Sequence, residues 1–202
     1  MDHHQEDDIR NIKLYSTLLE QHGDSHKSLN WGSSTSQQSR FDILAGVGLQ
    51  PNNSVLDVGC GLGHFLDWIL ENVGNVQYTG IDLTPAMIEK AKEHYPDANF
   101  LQSSLHDFLS LGDRFDYVVS SGIFYYRRNN PNCFMKNSIR EMYECAKTAV
   151  AFNSLSSWCE NQDEYEFYAD PVKTIEICHG ITNKVVFRHD YHSSDFTIYL
   201  YK

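Results

Sequence analysis

The sequence has no apolar run close to the ~20 residues of a membrane-spanning helix, so no membrane partner is expected. It has no C-x-x-C pair either. Its five cysteines, at positions 60, 133, 145, 159 and 178, are an odd and scattered set. Neither a disulfide framework nor a zinc site follows from such spacing, and no metal is expected. A reducing, cytoplasmic compartment fits this cysteine usage. Bases are scarce: 16 Lys and Arg stand against 27 Asp and Glu, a formal charge of −11. A nucleic-acid binder neutralises phosphates with Lys and Arg, so no nucleic-acid partner is expected. The one basic pair of note is Arg127-Arg128. The opening "MDHHQEDDIR" is acidic with no apolar segment behind it, and does not read as a signal peptide. Repeats and low-complexity segments are absent as well.

What is there is globular. In 202 residues, 41% are apolar and 13% aromatic, enough for one domain with a core and an added arm. Residues 1 to about 8 read as frayed. Apolar spacing from Ile9 through Leu19 predicts a helix ending at Gly23, and a second helix starts near Ser34, with Gln37 completing a capping box. Residues 1–48 are thus an N-terminal helical arm, and 49–202 a second unit. In that unit strands at 54–59, 76–83, 98–103, 114–122 and 148–155 alternate with helices at 63–74, 84–95, 132–147 and 170–180. Two period-2 strands, 183–191 and 194–202, close the chain through a turn too short for a crossover, so they pair antiparallel. The expected fold is α/β: a Rossmann-like three-layer sandwich, its seven-stranded sheet mostly parallel with an antiparallel C-terminal hairpin, plus the arm.

The stretch "VLDVGCGLGHF" (55–65) falls at the C-terminal edge of the first strand, where open parallel sheets bind ligands. Gly59, Gly61 and Gly63 let a ligand lie against bare backbone, with Cys60 small between them. A tight turn without a ligand is the alternative. Asp57, just ahead, offers a carboxylate to a ligand ammonium, and Asp82, ending the second strand, can accept two hydrogen bonds from a ribose diol. The pattern D-x-G-x-G-x-G departs from the G-x-G-x-x-G of nicotinamide sites, which aims a helix at pyrophosphate. It suits a cofactor with a cationic amino-acid end and no phosphate.

"VLDVGCGLGHF", "YTGIDLTPAMIEKA" and "FDYVVSSGIFYY" resemble the three leading motifs of class I S-adenosylmethionine (SAM)-dependent methyltransferases, over roughly residues 50–155. The resemblance implies SAM as cofactor. It implies that Asp57 and the backbone of Gly59, Cys60, Gly61 and Gly63 hold the methionine moiety, and that Asp82 holds the ribose. Leu83 and Met87 lie against ribose and adenine, while Ser120, Ser121 and Phe124 border the sulfonium. Where the family carries an acid for the adenine amine, this chain has Ser104 and Leu105, and its nearest acid is Asp107.

Methyl transfer needs positioning and exclusion of water more than a catalytic group, with a base required only for a protonated acceptor. Candidates beside the acceptor are Tyr125, Tyr126 and Asn153, against ordinary packing as the alternative. His189 with Asp190 is a weaker acid–base pair, because alternation sets them on opposite faces. His64 opens the third helix. From the arm, Tyr15, Trp31 and Arg40 are expected to close over the cofactor, with Arg40 available to a carboxylate. The function read from these features is SAM-dependent methyl transfer to a small-molecule substrate. Two alternatives stand beside it: a lyase or cyclase acting on SAM itself, like azetidine-2-carboxylate synthases, and a non-catalytic SAM-binding subunit. A homodimer is compatible with the sequence.

Overall fold

The computed structural model describes residues 3–202. In β1 (Ser54–Val58) side chains alternate between two buried faces, as a strand covered on both sides requires. Val55 joins a cluster with Phe65, Ile69 and Tyr78, whereas Leu56 and Val58 join one with Ile81, Phe108 and Ile139. Burial on both faces also recruits β2 (Gln77–Asp82), β4 (Phe115–Ser120) and β5 (Ala146–Leu155), while β3 (Asn99–Gln102), at the edge, buries Phe100. β6 (Val185–Arg188) and β7 (Asp195–Tyr201) complete a seven-stranded sheet of order β3-β2-β1-β4-β5-β7-β6. β1 to β5 run parallel, and β7 lies antiparallel between β5 and β6.

Among the described residues seven α-helices accompany the sheet: α1 (His3–His22), α2 (Ser34–Ala45), α3 (His64–Asn72), α4 (Pro85–His94), α5 (Leu105–Leu109), α6 (Pro131–Cys145) and α7 (Pro171–His179). A 3-10 turn, His26–Leu29, joins α1 to α2. The chain builds outward from β1 through α3, β2, α4 and β3, then returns on the far side of β1 with β4. The reversal between β1 and β4 is the place where such sheets open a crevice. No helix among the described residues is long and apolar enough to cross a membrane. All five cysteines are free.

Several local expectations are corrected. The frayed start is helical from His3, and Asp7 on it is buried. α2 is capped by Ser33, whose hydroxyl accepts from the Ser36 N–H, while Gln37 turns to His64 Nδ1 (3.3 Å) and forms no capping box. The Asp82 carboxylate takes the Thr84 N–H at 2.8 Å. α6 gives way directly to β5 at Ala146, two residues before the expected strand. β6 is four residues long because Arg188 folds onto Asp190 through two hydrogen bonds (2.7 and 2.9 Å), ending the ladder.

Candidate cofactor and acceptor site

A cavity of about 520 Å³ opens at the C-terminal edge of the sheet, at the β1/β4 reversal. Its floor is Val58 at the end of β1 with Gly59 and Gly61 behind it, Asp82 at the end of β2 with Leu83 and, on α4, Met87, and Ser103, Ser104 and Leu105 after β3. Ser121, Gly122, Ile123 and Tyr125 after β4 form one wall, and Tyr15, Leu29 and Trp31 of the arm reach in from above. The volume falls in the range of ordinary small-ligand pockets, about 300–1,000 Å³.

The glycine turn is tied down by a carboxylate. Gly61, at φ 52°, donates its N–H to Asp82 Oδ2 at 3.0 Å, while Asp82 Oδ1 holds Thr84. Burial raises the Asp82 pKa, and these backbone N–H donors pull it partly back. Each carboxylate oxygen retains a lone pair, so Asp82 can still accept from a diol. A Cβ on Gly61 would stand 2.6 Å from a Leu29 methyl, so glycine lets the arm settle onto the turn. Gly63 serves packing instead: a Cβ there would meet the Tyr95 ring at 2.9 Å. Neither Gly63 nor Cys60 lines the cavity, and Cys60 is buried toward Gly80.

Asp57 is placed elsewhere than expected. Strand alternation puts it on the Val55 face, buried, where the Tyr78 hydroxyl donates to it at 2.6 Å. It does not line the cavity, and burial pushes its pKa up to about 7. Ser120 and Phe124 are likewise interior. Ser120 donates to the Val58 carbonyl, and Phe124 packs on Phe134 and Phe152 at ring separations of 6.0 and 5.4 Å. Asn153 lies within β5, paired with Thr197, not at its end. Its amide accepts from the Gly122 N–H and donates to Ser121 Oγ, both at 3.0 Å, so it shapes the wall without lining it. Tyr126 makes a bridge to Glu166 outside the lining. His189 packs between Trp158 and Phe187 while Asp190 faces Arg188, so the two form no acid–base pair. His64 binds Asp24 at 2.9 Å and stays out of the cavity.

The arm is fastened along its length. The Tyr15 and Tyr125 hydroxyls bond at 2.5 Å across the cavity, and burial raises both phenols' pKa. Asp7 accepts from the Asn129 backbone and side chain, each at 2.9 Å, and Asp8 pairs with Arg128 at 2.8 Å. The Trp31 ring rests on Gly122, where a Cβ would come within 3.2 Å of it. Arg40 does not enter the cavity: its guanidinium lies 4.7 Å from the Trp31 ring centre and forms a buried ion pair with Asp195. Asp8, Asn11, Leu29, Phe134, Asn137 and Glu141 also line the cavity and carry no motif that marks them in the sequence, and Arg128, half of the basic pair, joins them.

These residues suit SAM. The cavity offers a buried carboxylate with spare acceptors, bare backbone at Gly59 and Gly61, and apolar Leu83, Met87 and Leu105 for a purine. Comparison with known proteins agrees. The family model described as a methyltransferase domain matches residues 55–149. The Mycobacterium tuberculosis protein that carries the name methyltransferase Rv1506c is 31% identical over 159 residues, covering 74% of this chain and 93% of that protein. A trans-aconitate 2-methyltransferase of Enterobacter sp. is 31% identical over 33% of this chain, which spans 27% of that relative. In fold, the chain is similar to magnesium protoporphyrin IX methyltransferase from Synechocystis, solved with SAH, the demethylated product of SAM. There the TM-score is 0.69 at 12% identity, covering 97% of this chain and 99% of that one. A SAM-dependent methyltransferase from Archaeoglobus fulgidus gives 0.67 at 16% identity, over 85% and 95%.

Proposed function

Because the chain belongs to the class I SAM-dependent methyltransferase family, we propose that it methylates a small molecule enclosed beneath its N-terminal arm. SAM supplies the methyl group and a neutral thioether leaving group when bound, so the protein need not create either. The chain's own part is to bind and align. Asp82 accepts from the ribose hydroxyls, Leu83, Met87 and Leu105 flank the adenine, and the Gly59–Gly61 backbone receives the amino-acid end. Asn153 holds the Ser121–Gly122 turn at the wall, and Tyr15 with Tyr125 closes the space where the acceptor sits. Their raised pKa keeps both phenols protonated at neutral pH; one hydroxyl donates to the other, and the second keeps its proton to orient an acceptor rather than acting as a base.

The observation that carries this reading is the composition of the cavity: motif residues form its floor, and Tyr15, Leu29 and Trp31 of the arm form its roof. A roofed cavity suits a small acceptor better than a macromolecule. Free cysteines and the acidic balance fit a cytoplasmic setting without nucleic acid. The test is conversion of SAM to SAH with and without a metabolite extract. Acceptor-dependent formation of SAH is expected. Consumption of SAM in the absence of any acceptor would instead support the lyase or cyclase chemistry.

A further inference from the structure

Resting on that small-molecule reading, we propose that Arg128 anchors a carboxylate of the acceptor, and that Asp8 is the internal carboxylate which this group displaces. The two arginines of the basic pair have separate fates. Arg127 is exposed and donates to the Glu164 carbonyl at 2.8 Å. Arg128 is 7% exposed, lies in the cavity wall, and has its guanidinium 3.8 Å from the centre of the Phe134 ring. Its Nη1 donates to Asp8 Oδ1 at 2.8 Å. Its Nε is buried with no hydrogen-bond partner among the described residues.

A buried donor on a charged group without an acceptor is costly, and folded proteins leave few of them. Arg128 lines the ligand cavity, so a ligand carboxylate that engages the guanidinium and turns it can give the orphaned Nε its acceptor. Guanidinium nitrogens form a planar fork that matches the two oxygens of a carboxylate, and stacking on Phe134 fixes the plane of that fork. Asp8 already occupies one prong, which shows that a carboxylate fits there. The Asp8 side chain is 34% exposed on α1 and can turn to water when a better-placed group arrives.

Charge selects a carboxylate over a phosphate. The cavity lining includes Asp8, Asp82, Asp107 and Glu141, and Arg128 is the one Lys or Arg among the described lining residues. One guanidinium can balance a single negative charge in that field, whereas a phosphate dianion would remain under-compensated. Exchange of Asp8 for a ligand carboxylate conserves the charge and gives Nε its partner.

SAM also carries a carboxylate, and the experiment separates the two sources. Calorimetry is run on wild type, Arg128→Gln, Arg128→Lys and Asp8→Asn, first with SAH. Protein saturated with SAH is then titrated with acetate, benzoate, succinate and tricarballylate, and with tricarballylamide as the uncharged control. Wild type should bind at least one of the carboxylates and not the amide. Arg128→Gln should keep its SAH affinity and lose about tenfold or more for that carboxylate, with Arg128→Lys in between. Asp8→Asn, which removes the internal competitor, should bind the carboxylate about threefold or more tighter. Asp8→Asn sits on a half-exposed position, so this arm stands even where an Arg128 variant misfolds. Unchanged or weakened carboxylate binding in Asp8→Asn overturns the exchange. Loss of SAH affinity in a natively folded Arg128→Gln assigns Arg128 to the cofactor's carboxylate instead and overturns the proposal. Wild type that binds SAH but none of the carboxylates overturns the anchor alone, and wild type that fails to bind SAH overturns the methyltransferase site beneath it.

Discussion

At the residue scale, Asp82 and Asp57 are two buried acids with opposite assignments. Asp82 faces the cavity with acceptor capacity left, so Asp82→Ala should weaken SAH binding by about 1–3 kcal/mol in calorimetry. An unchanged affinity would remove it from the ribose. Asp57 is sealed against Tyr78, its pKa raised from 3.8 to about 7 chiefly by burial. Between those values the folded state keeps a proton that the unfolded state has released, so this group's contribution to stability falls as pH rises from about 4 to 7. Asp57→Asn cannot ionise, and its melting temperature relative to wild type should climb across that interval. A difference that stays flat with pH would contradict the assignment. Gly61→Val should abolish SAH binding with a near-native far-ultraviolet spectrum, because the new side chain meets Leu29 and an unfavourable positive φ. Gly59, Gly61, Asp82, Leu83 and Met87 were legible because the motif places them through short-range geometry. Asp57, Asn153 and Arg40 were not, since Tyr78, Gly122 and Asp195 meet them only through tertiary contacts.

At the element scale, α1 and the 3-10 turn act together as the arm. Tyr15 on Tyr125, Leu29 on Gly61 and Trp31 on Gly122 join it to three different segments of the cavity. Ligand beneath it should favour the closed state, so saturating SAH is expected to slow proteolysis between residues 24 and 34. Cleavage at an unchanged rate would reduce the arm to simple packing. Deleting residues 1–30 should cost turnover far more than it costs the folding of the sheet. Strand and helix alternation from 54 to 155 could be read because Val, Ile and Tyr runs are broken by clear helix starts such as Thr84-Pro85. α5 escaped because five residues carry too little periodicity. The first turns of α1 escaped because their acids find partners in Arg128 and Asn129, more than a hundred positions away.

At the scale of the whole molecule, topology decides where chemistry can occur. The reversal of strand order at β1/β4 brings the glycine turn, Asp82 and the Ser121–Tyr125 wall to one sheet edge, and the arm covers that edge. The antiparallel end of the sheet could be foreseen from its short connection, whereas the composition of the roof depends on how α1 docks. A chain of net charge −11 carries, among the described lining residues of its cavity, a single guanidinium at Arg128. The central claim is that the cavity passes a methyl group from SAM to a small molecule. Its most direct test is mass spectrometry of a metabolite extract incubated with the protein and methyl-deuterated SAM. A small molecule carrying the intact labelled methyl group, formed by wild type and lost in Asp82→Ala, is the result predicted. SAH-binding protein that leaves every small molecule in the extract unlabelled would contradict it.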